Sequence, residues 1–189
     1  MIYDPTKHHR RSIRLKGFDY SSEGEYFVTI CVQDRRCTLG EIRDSKMHLS
    51  PIGKIALRCW LEIPKHFPNV SLDAYVIMPD HMHGILVIDA PVGVRHVEPR
   101  HNSYQHIIPQ SISSIILQYK SSVTRLSRRG NHSDFRWQRN YYEHIIRSED
   151  DLNRIRDYIG NNIIQWQYDH ENLQQFRSGG SGSRPDEAS

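Results

Sequence analysis

Apolar positions along this chain alternate between a period of two and a period near 3.6, and the changes of period mark out its elements. Tyr26-Phe27-Val28-Thr29-Ile30-Cys31-Val32 is rich in β-branched and aromatic residues and follows the turn-like Ser21-Ser22-Glu23-Gly24, so it reads as a strand. Met47-His48-Leu49 reads as a second, brief extended piece. Ser50 can cap a helix with Pro51 at its first position; Ile52, Ile55, Ala56, Cys59, Trp60 and Ile63 then recur at helical spacing until Pro64 and Pro68. Trp60 is most simply a core residue. Residues 72–78 and 82–88 are two further apolar runs, and residues 89–110, rich in Pro, His and polar groups, read as a surface loop. Its His96, His101 and His106 are too scattered to suggest a metal site. Ile112, Ile115, Ile116, Tyr119, Val123 and Leu126 make a second amphipathic helix. A third starts at the N-cap Ser148, carries Glu149, Asp150 and Asp151 at its positive end, and buries Leu152, Ile155 and Ile159. Gly160, Asn161 and Asn162 are poor helix formers, so this helix is expected to end near them. Gln165-Trp166-Gln167-Tyr168 is expected to dock on the body.

The two apolar runs at 72–88 flank a polar knot, Pro79-Asp80-His81-Met82-His83. Proline cannot donate to a sheet ladder, so the runs read as adjacent strands joined at Pro79-Asp80, the second starting at His81. Side chains alternate along a strand, which puts His81 and His83 on one face and Met82 on the other. Two neutral imidazoles side by side begin a divalent-metal site that another segment must complete. The plainer alternative is a pair of polar residues on an exposed strand face.

At 189 residues the chain suits one domain with a real core plus tails. Cys31, Cys37 and Cys59 are an odd number without a CxxC pair, which argues against a disulfide framework or a cysteine-rich zinc site. No apolar run approaches the roughly 20 residues that cross a bilayer, and the first residues lack the apolar stretch of a signal peptide; no membrane partner is expected and the cytoplasm is the default compartment. The net charge of +3 is mild, but the cations cluster. Lys7, Arg10, Arg11, Arg14 and Lys16 form an acid-free leader. Lys120, Arg125, Arg128, Arg129, Arg136 and Arg139 gather later, with Trp137, Tyr141 and Tyr142 interleaved and only Asp134 opposing. Cations for the backbone and flat rings for the bases are what a single nucleic-acid strand requires. Arg10, Arg11, Arg14, Lys16, Arg136, Trp137 and Arg139 are therefore the candidate DNA contacts. A solvated basic face beside core aromatics is the alternative.

Three stretches together resemble the single-tyrosine transposases of the HUH class (histidine–hydrophobic–histidine; IS200-like), and most closely the branch of REP-associated tyrosine transposases. They are residues 76–84, VIMPDHMHG; residues 137–147, WQRNYYEHIIR; and residues 156–162, RDYIGNN. The leader His9-Arg10-Arg11-Ser12-Ile13-Arg14-Leu15 is also similar, and the order is kept from Arg10 to Trp166. The resemblance implies an α/β (α+β) domain with a central antiparallel sheet flanked by helices, of ferredoxin- or RRM-like form. With the basic arm (1–20) read from its charge and a disordered tail (178–189) from its Gly/Ser composition, the transposase domain spans 21–177. The resemblance also implies cleavage and rejoining of single-stranded DNA, with hairpins of REP-like palindromes as targets and Mg²⁺ or Mn²⁺ as cofactor. The family's nucleophile motif falls on Tyr158 and Asn162, leaving Tyr141 and Tyr142 outside it. His81, His83 and Asn162 are then the implied metal ligands. Relatives often carry proline after that asparagine, where this chain has Ile163. The loop from Asp89 to Gln110 is also long for the family. Monomer and homodimer both stay open.

The chemistry is coherent on its own terms. Cutting a strand while saving the bond energy for rejoining requires a covalent intermediate, and a phenol is a tolerable nucleophile and leaving group. Tyr158 and Asn162, four apart, lie one turn above another on a helix. The first rival is a catalytically inactive protein that binds single-stranded or hairpin DNA; the intact set His81, His83, Tyr158 and Asn162 speaks against it. A histidine-triad hydrolase would need a further alternating histidine where the chain has Ile85, and structural zinc sites favour cysteine partners.

Overall fold

A computed structural model describes residues 23–89 and 111–178; the basic arm, most of the 89–110 loop and the Gly/Ser tail, with the expectations placed on them, lie outside these residues. Four strands form one antiparallel sheet: β1 (Gly24–Cys31), β4 (Val70–Ile77), β5 (His81–Ile88) and β6 (Tyr142–Ile146), in the order β4-β5-β1-β6. A separate hairpin joins β2 (Gly40–Arg43) to β3 (Lys46–Leu49). The helices are α1 (Pro51–Leu61), a single turn α2 (Ile63–His66), α3 (Ile112–Arg129) and α4 (Glu149–Ser178). Taking the main sheet alone, the chain runs strand, helix, strand, strand, helix, strand, the ferredoxin-like order expected from the resemblance. Among the described residues no helix is long and apolar enough to cross a membrane.

Local chemistry sets the helix starts, at Ser50 and Ser148 as expected and at Ser111 in addition. Ser50 Oγ accepts from the Gly53 amide at 3.0 Å with Pro51 at the first helical position, Ser111 caps α3 in the same way, and Ser148 Oγ accepts from the Asp151 amide at 3.2 Å. Pro64 does not simply stop the first helix: it sits in the opening turn of α2, where its missing N–H costs nothing. Two strands escape the sequence pattern. β2 is only four residues long, and β6 lies within the aromatic-basic stretch that the sequence presents as a surface.

The sheet separates two apolar layers. Tyr26, Val28, Ile30 and Val32 of β1 and its extension, with Met82, Leu86 and Ile88 of β5, pack against Ala56, Cys59 and Trp60 of α1 and Ile115, Tyr119 and Val123 of α3. On the other side Phe27, Ile85 and Ile146 meet Leu152, Ile155 and Ile159 of α4. A bulge between Leu72 and Tyr75 inserts one residue into β4 relative to β5, so Leu72 belongs to the first layer and Ala74 and Val76 to the second. The same bulge presents Asp73 to α4, where Arg156 Nη2 reaches its Oδ2 at 2.5 Å and Nε its Oδ1 at 3.2 Å.

α4 does not end at Gly160-Asn161-Asn162 but continues to Ser178. A glycine in a helix costs only about 1 kcal/mol. Here Ile159 and Asn162 on either side of it are buried, while a Cβ at Gly160 would meet nothing within 4 Å. With isoleucine rather than proline at 163, the ladder has no missing donor at that point.

The turn between β4 and β5 is held from three sides. The Met78 amide donates to the His81 carbonyl at 2.8 Å, closing the turn. The Asp80 carbonyl accepts from the Val32 amide at 2.8 Å, and the Pro79 carbonyl from the Leu39 amide at 2.9 Å.

Candidate active site

β5 begins at His81, so residues 81, 83 and 85 face α4 while 82, 84 and 86 face α1 and α3. Both histidines are buried, at 5% and 4% exposure, yet their Nε2 atoms face each other 3.0 Å apart. The outward nitrogens have separate partners. His81 Nδ1 lies 2.5 Å from Asp80 Oδ1, and His83 Nδ1 lies 2.8 Å from Thr29 Oγ1, the residue directly opposite it in the β1–β5 register. Phe27 stacks on the His83 ring with centroids 5.4 Å apart, and Trp166 of α4 stands 5.7 Å from the His81 ring. Burial, helped by the charges of His81 and Arg35 and opposed by Asp80, lowers the His83 pKa to about 3, so this ring is neutral at physiological pH.

Tyr158 reaches the pair from α4. Its hydroxyl lies 3.3 Å from His83 Nε2, and its ring meets Phe27 and His83 edge-on. The side chain is half exposed, so an incoming strand can touch the phenol. Asn162, one turn further along, is buried at 7%. Arg156 clamps the helix to Asp73 two residues before the tyrosine, and this contact holds the Asp73 carboxyl below its ordinary range. The histidine pair, Tyr158 and this stretch of α4 thus converge, as the sequence suggested.

The arrangement suits a small cation. Two ligands at right angles on bonds of about 2.1 Å stand about 3.0 Å apart, whereas a tetrahedral pair stands nearer ~3.4 Å. The observed 3.0 Å is compatible with a shared cation and is equally the length of a hydrogen bond between the two rings. Among the described residues no three His, Cys, Asp or Glu side chains gather as a ligand group, so the pair by itself is an incomplete ligand set.

The later basic cluster forms a groove of about 570 Å³ between α3 and residues 136–139, lined by Arg125, Arg128, Arg129, Arg136 and Arg139. Lys120 turns inward: its Nζ donates to the Gln138 and Arg139 carbonyls, and burial lowers its pKa. Arg136 spends part of its guanidinium on the Ser133 and Phe135 carbonyls. Trp137 is only 8% exposed and packs edge-on against Phe135 and beside Tyr119. Trp137 also lines the basic groove between Arg136 and Gln138, so it is both a packed residue and part of the surface where a stacking role was expected. Its segment is tied to the sheet end, the Gln138 amide donating to the Cys31 carbonyl at 2.9 Å, opposite His81. Tyr142 is exposed, and Tyr141 packs against the first apolar layer.

Sequence reasoning missed Thr29, Arg35 and the supporting role of Asp80. Asp80 stands beside the first histidine but reads as part of a strand breaker. Thr29 comes to His83 only through the register of two strands 54 residues apart, which no local pattern encodes. Trp166 does dock, as expected, while its neighbour Tyr168 stays exposed at 61%.

No family model matches the chain. An uncharacterized protein of Haemophilus influenzae (strain Rd) is 42% identical over 176 residues, covering 88% of this chain and 95% of its own length. A second protein of that strain, named "Putative REP-associated tyrosine transposase", is 25% identical over 150 residues, 79% of this chain and 76% of its own. A solved REP-associated tyrosine transposase bound to a REP hairpin superposes with a TM-score of 0.53 at 22% identity, over 82% of this chain and 72% of that one. The chain is thus similar in sequence to a protein named as a REP-associated tyrosine transposase and shares its fold with a solved one. In this chain the histidine pair and the helix tyrosine share one face of the sheet, and the fold expected from the motifs is the fold observed.

Proposed function

We propose that this transposase relative cuts and rejoins single-stranded DNA through Tyr158, with Mg²⁺ or Mn²⁺ held by His81, His83 and the Asn162 amide. One observation carries the reading: the Tyr158 hydroxyl, from a helix 75 residues away in sequence, stands 3.3 Å from the nitrogen that the two buried histidines turn toward each other. A structural tyrosine at a helix–sheet boundary has no need of that address.

Tyr158 is half exposed and anchored through Arg156, so its oxygen can be aimed at a phosphorus while the ring stays against Phe27. Attack forms the Tyr158 Oη–P bond and releases the 3′ oxygen, leaving a 5′-phosphotyrosine and a 3′-hydroxyl. Attack by a different 3′-hydroxyl reverses the step and joins strands. The metal, when bound, polarises the phosphate and offsets its growing charge. The buried His83 stays neutral at physiological pH, as a metal-ligating imidazole must. The basic groove along α3, with the arm carrying Arg10, Arg11, Arg14 and Lys16, binds the DNA backbone. The hairpin held by the solved family member makes a REP-like hairpin the first substrate to try.

The test is incubation with labelled single-stranded DNA from the gene's flanks, hairpin included, plus Mn²⁺. The expected result is a covalent DNA–protein adduct that Tyr158→Phe abolishes while Tyr141→Phe and Tyr142→Phe keep it. An adduct surviving Tyr158→Phe moves the nucleophile elsewhere. Tight hairpin binding with no adduct for any protein supports the inactive DNA-binding rival.

A further inference from the structure

The two histidines are supported by chemically different partners, and the difference has a consequence. Asp80 is 4% exposed and accepts on both carboxylate oxygens: His81 Nδ1 at 2.5 Å and Arg35 Nε at 2.8 Å. Arg35 reaches it from a backbone bend in which Asp34 (φ 57°) and Arg35 (φ 52°) are both left-handed, a conformation costing roughly 1–2 kcal/mol per non-glycine residue. Arg35 Nη1 also contacts Cys31 Sγ at 3.0 Å. A carboxylate can only accept, so His81 carries a proton on Nδ1. Thr29 is a hydroxyl and can either donate or accept.

Two nitrogen lone pairs facing each other at 3.0 Å repel unless a proton or a cation lies between them. Without a cation, and with both rings neutral, one arrangement satisfies every contact, a directed chain. Thr29 O–H donates to His83 Nδ1, His83 Nε2–H donates to His81 Nε2, and His81 Nδ1–H donates to Asp80. With a cation bound, His83 must free Nε2, and its proton moves to Nδ1, where Thr29 now accepts it. One proton leaves Nε2 and one arrives at Nδ1, so the ring stays neutral throughout.

We infer that Asp80, anchored by Arg35, locks His81 in one tautomer, while Thr29 is a positioning residue that lets His83 exchange tautomers as the cation enters. This rests on the metal reading above for its second half only. The lock on His81 concerns the metal-free protein.

The experiment is ¹⁵N–¹H NMR of the histidine rings in the full chain at neutral pH, without metal and with Zn²⁺ as a diamagnetic probe, together with Mn²⁺ titration by calorimetry. Expected without metal are His81 protonated on Nδ1 and His83 on Nε2; with Zn²⁺, His83 moves to Nδ1 and His81 does not change. Thr29→Val keeps a strand-favouring shape and removes the hydroxyl; it should weaken Mn²⁺ binding about 10-fold or more. Thr29→Ser should restore it, and hairpin affinity without metal should be unchanged in both. His81 found protonated on Nε2 overturns the lock. His83 keeping one tautomer while Zn²⁺ binds, or Thr29→Val binding Mn²⁺ like the unaltered protein, overturns the exchange. Absence of any Mn²⁺ or Zn²⁺ binding overturns the metal reading and the exchange together, whereas the metal-free spectrum still decides the lock.

Discussion

On β1 and β5 the two sides of one sheet are built from interleaved residues and do different work. Even-numbered positions, Val28, Ile30, Met82 and Leu86, lie against α1 and α3 in an apolar layer. Odd-numbered positions, Phe27, Thr29, His81 and His83, lie against α4 and carry the polar groups. The α1–α3 side has a large ring, Trp60, fully buried over Gly84, the residue right after the second histidine. The α4 side has a half-exposed tyrosine and a buried asparagine instead. A strand can therefore present buried polar groups on one face because the other face supplies the hydrophobic stabilisation. Changes on the two faces should separate cleanly into loss of chemistry and loss of stability.

The largest effect belongs to the α4 face. Tyr158→Phe and His81→Ala should each remove DNA cleavage, measured as product on a denaturing gel, with hairpin affinity within about twofold of the unaltered protein. Normal cleavage by His81→Ala would break the comparison, because the histidines would then be ordinary buried residues. On the other face Gly84→Ala should do the reverse. Its Cβ would lie 2.3 Å from Trp60 Cζ2 and force the ring to move, which for an overpacked core costs about 1–3 kcal/mol. Thermal melting should register that loss, and an unshifted Tm would mean that Trp60 is not held as tightly over Gly84 as their contact indicates.

A third test uses acid. The folded-state pKa of His83, about 3, lies below its ordinary value near 6.5, chiefly through burial. Unfolding then takes up a proton between those values. Stability of the metal-free protein should be full above about pH 6.5 and fall as pH drops toward 3, with the slope reduced in His83→Gln. Denaturant midpoints across that window give the answer, and identical slopes in the two proteins would remove His83 as the cause. The smallest effect is expected in the groove. Arg128→Ala with Arg129→Ala should lower hairpin affinity modestly and flatten its salt dependence, by roughly 0.7 in log–log slope for each single-strand phosphate that is no longer neutralised. An unchanged slope would take the groove out of the DNA path.

Much of this is legible along the chain, and what is not has physical reasons. The β4–β5 hairpin, the shared face of His81 and His83, and the caps Ser50 and Ser148 are set by neighbours a few residues apart. The cap Ser111 is equally local but hides at the edge of a polar loop. The true end of α4 is invisible to propensity alone, which takes no account of the tertiary contacts that bury Ile159 and Asn162. Trp137 reads as a DNA contact because an aromatic among arginines looks the same whether it covers a core or waits for a base. Its packing against Phe135 and Tyr119 is set by the fold and cannot be read from that stretch. Thr29 and Arg35 are out of reach, since strand register and a double left-handed bend bring them to the histidines.

The turn at Pro79-Asp80 gives the site a timescale. Both of its carbonyls are occupied, by the Val32 and Leu39 amides, so freeing the start of β5 means breaking bonds to two other segments at once. Those two amides should exchange with deuterium only when the mouth of the site opens. If they exchange at the rate of the Val28 and Ile30 amides in the middle of β1, the histidine pair is lost only with the whole sheet. If they exchange faster, the site has its own opening free energy, smaller than that of global unfolding, and the difference between the two rates measures it.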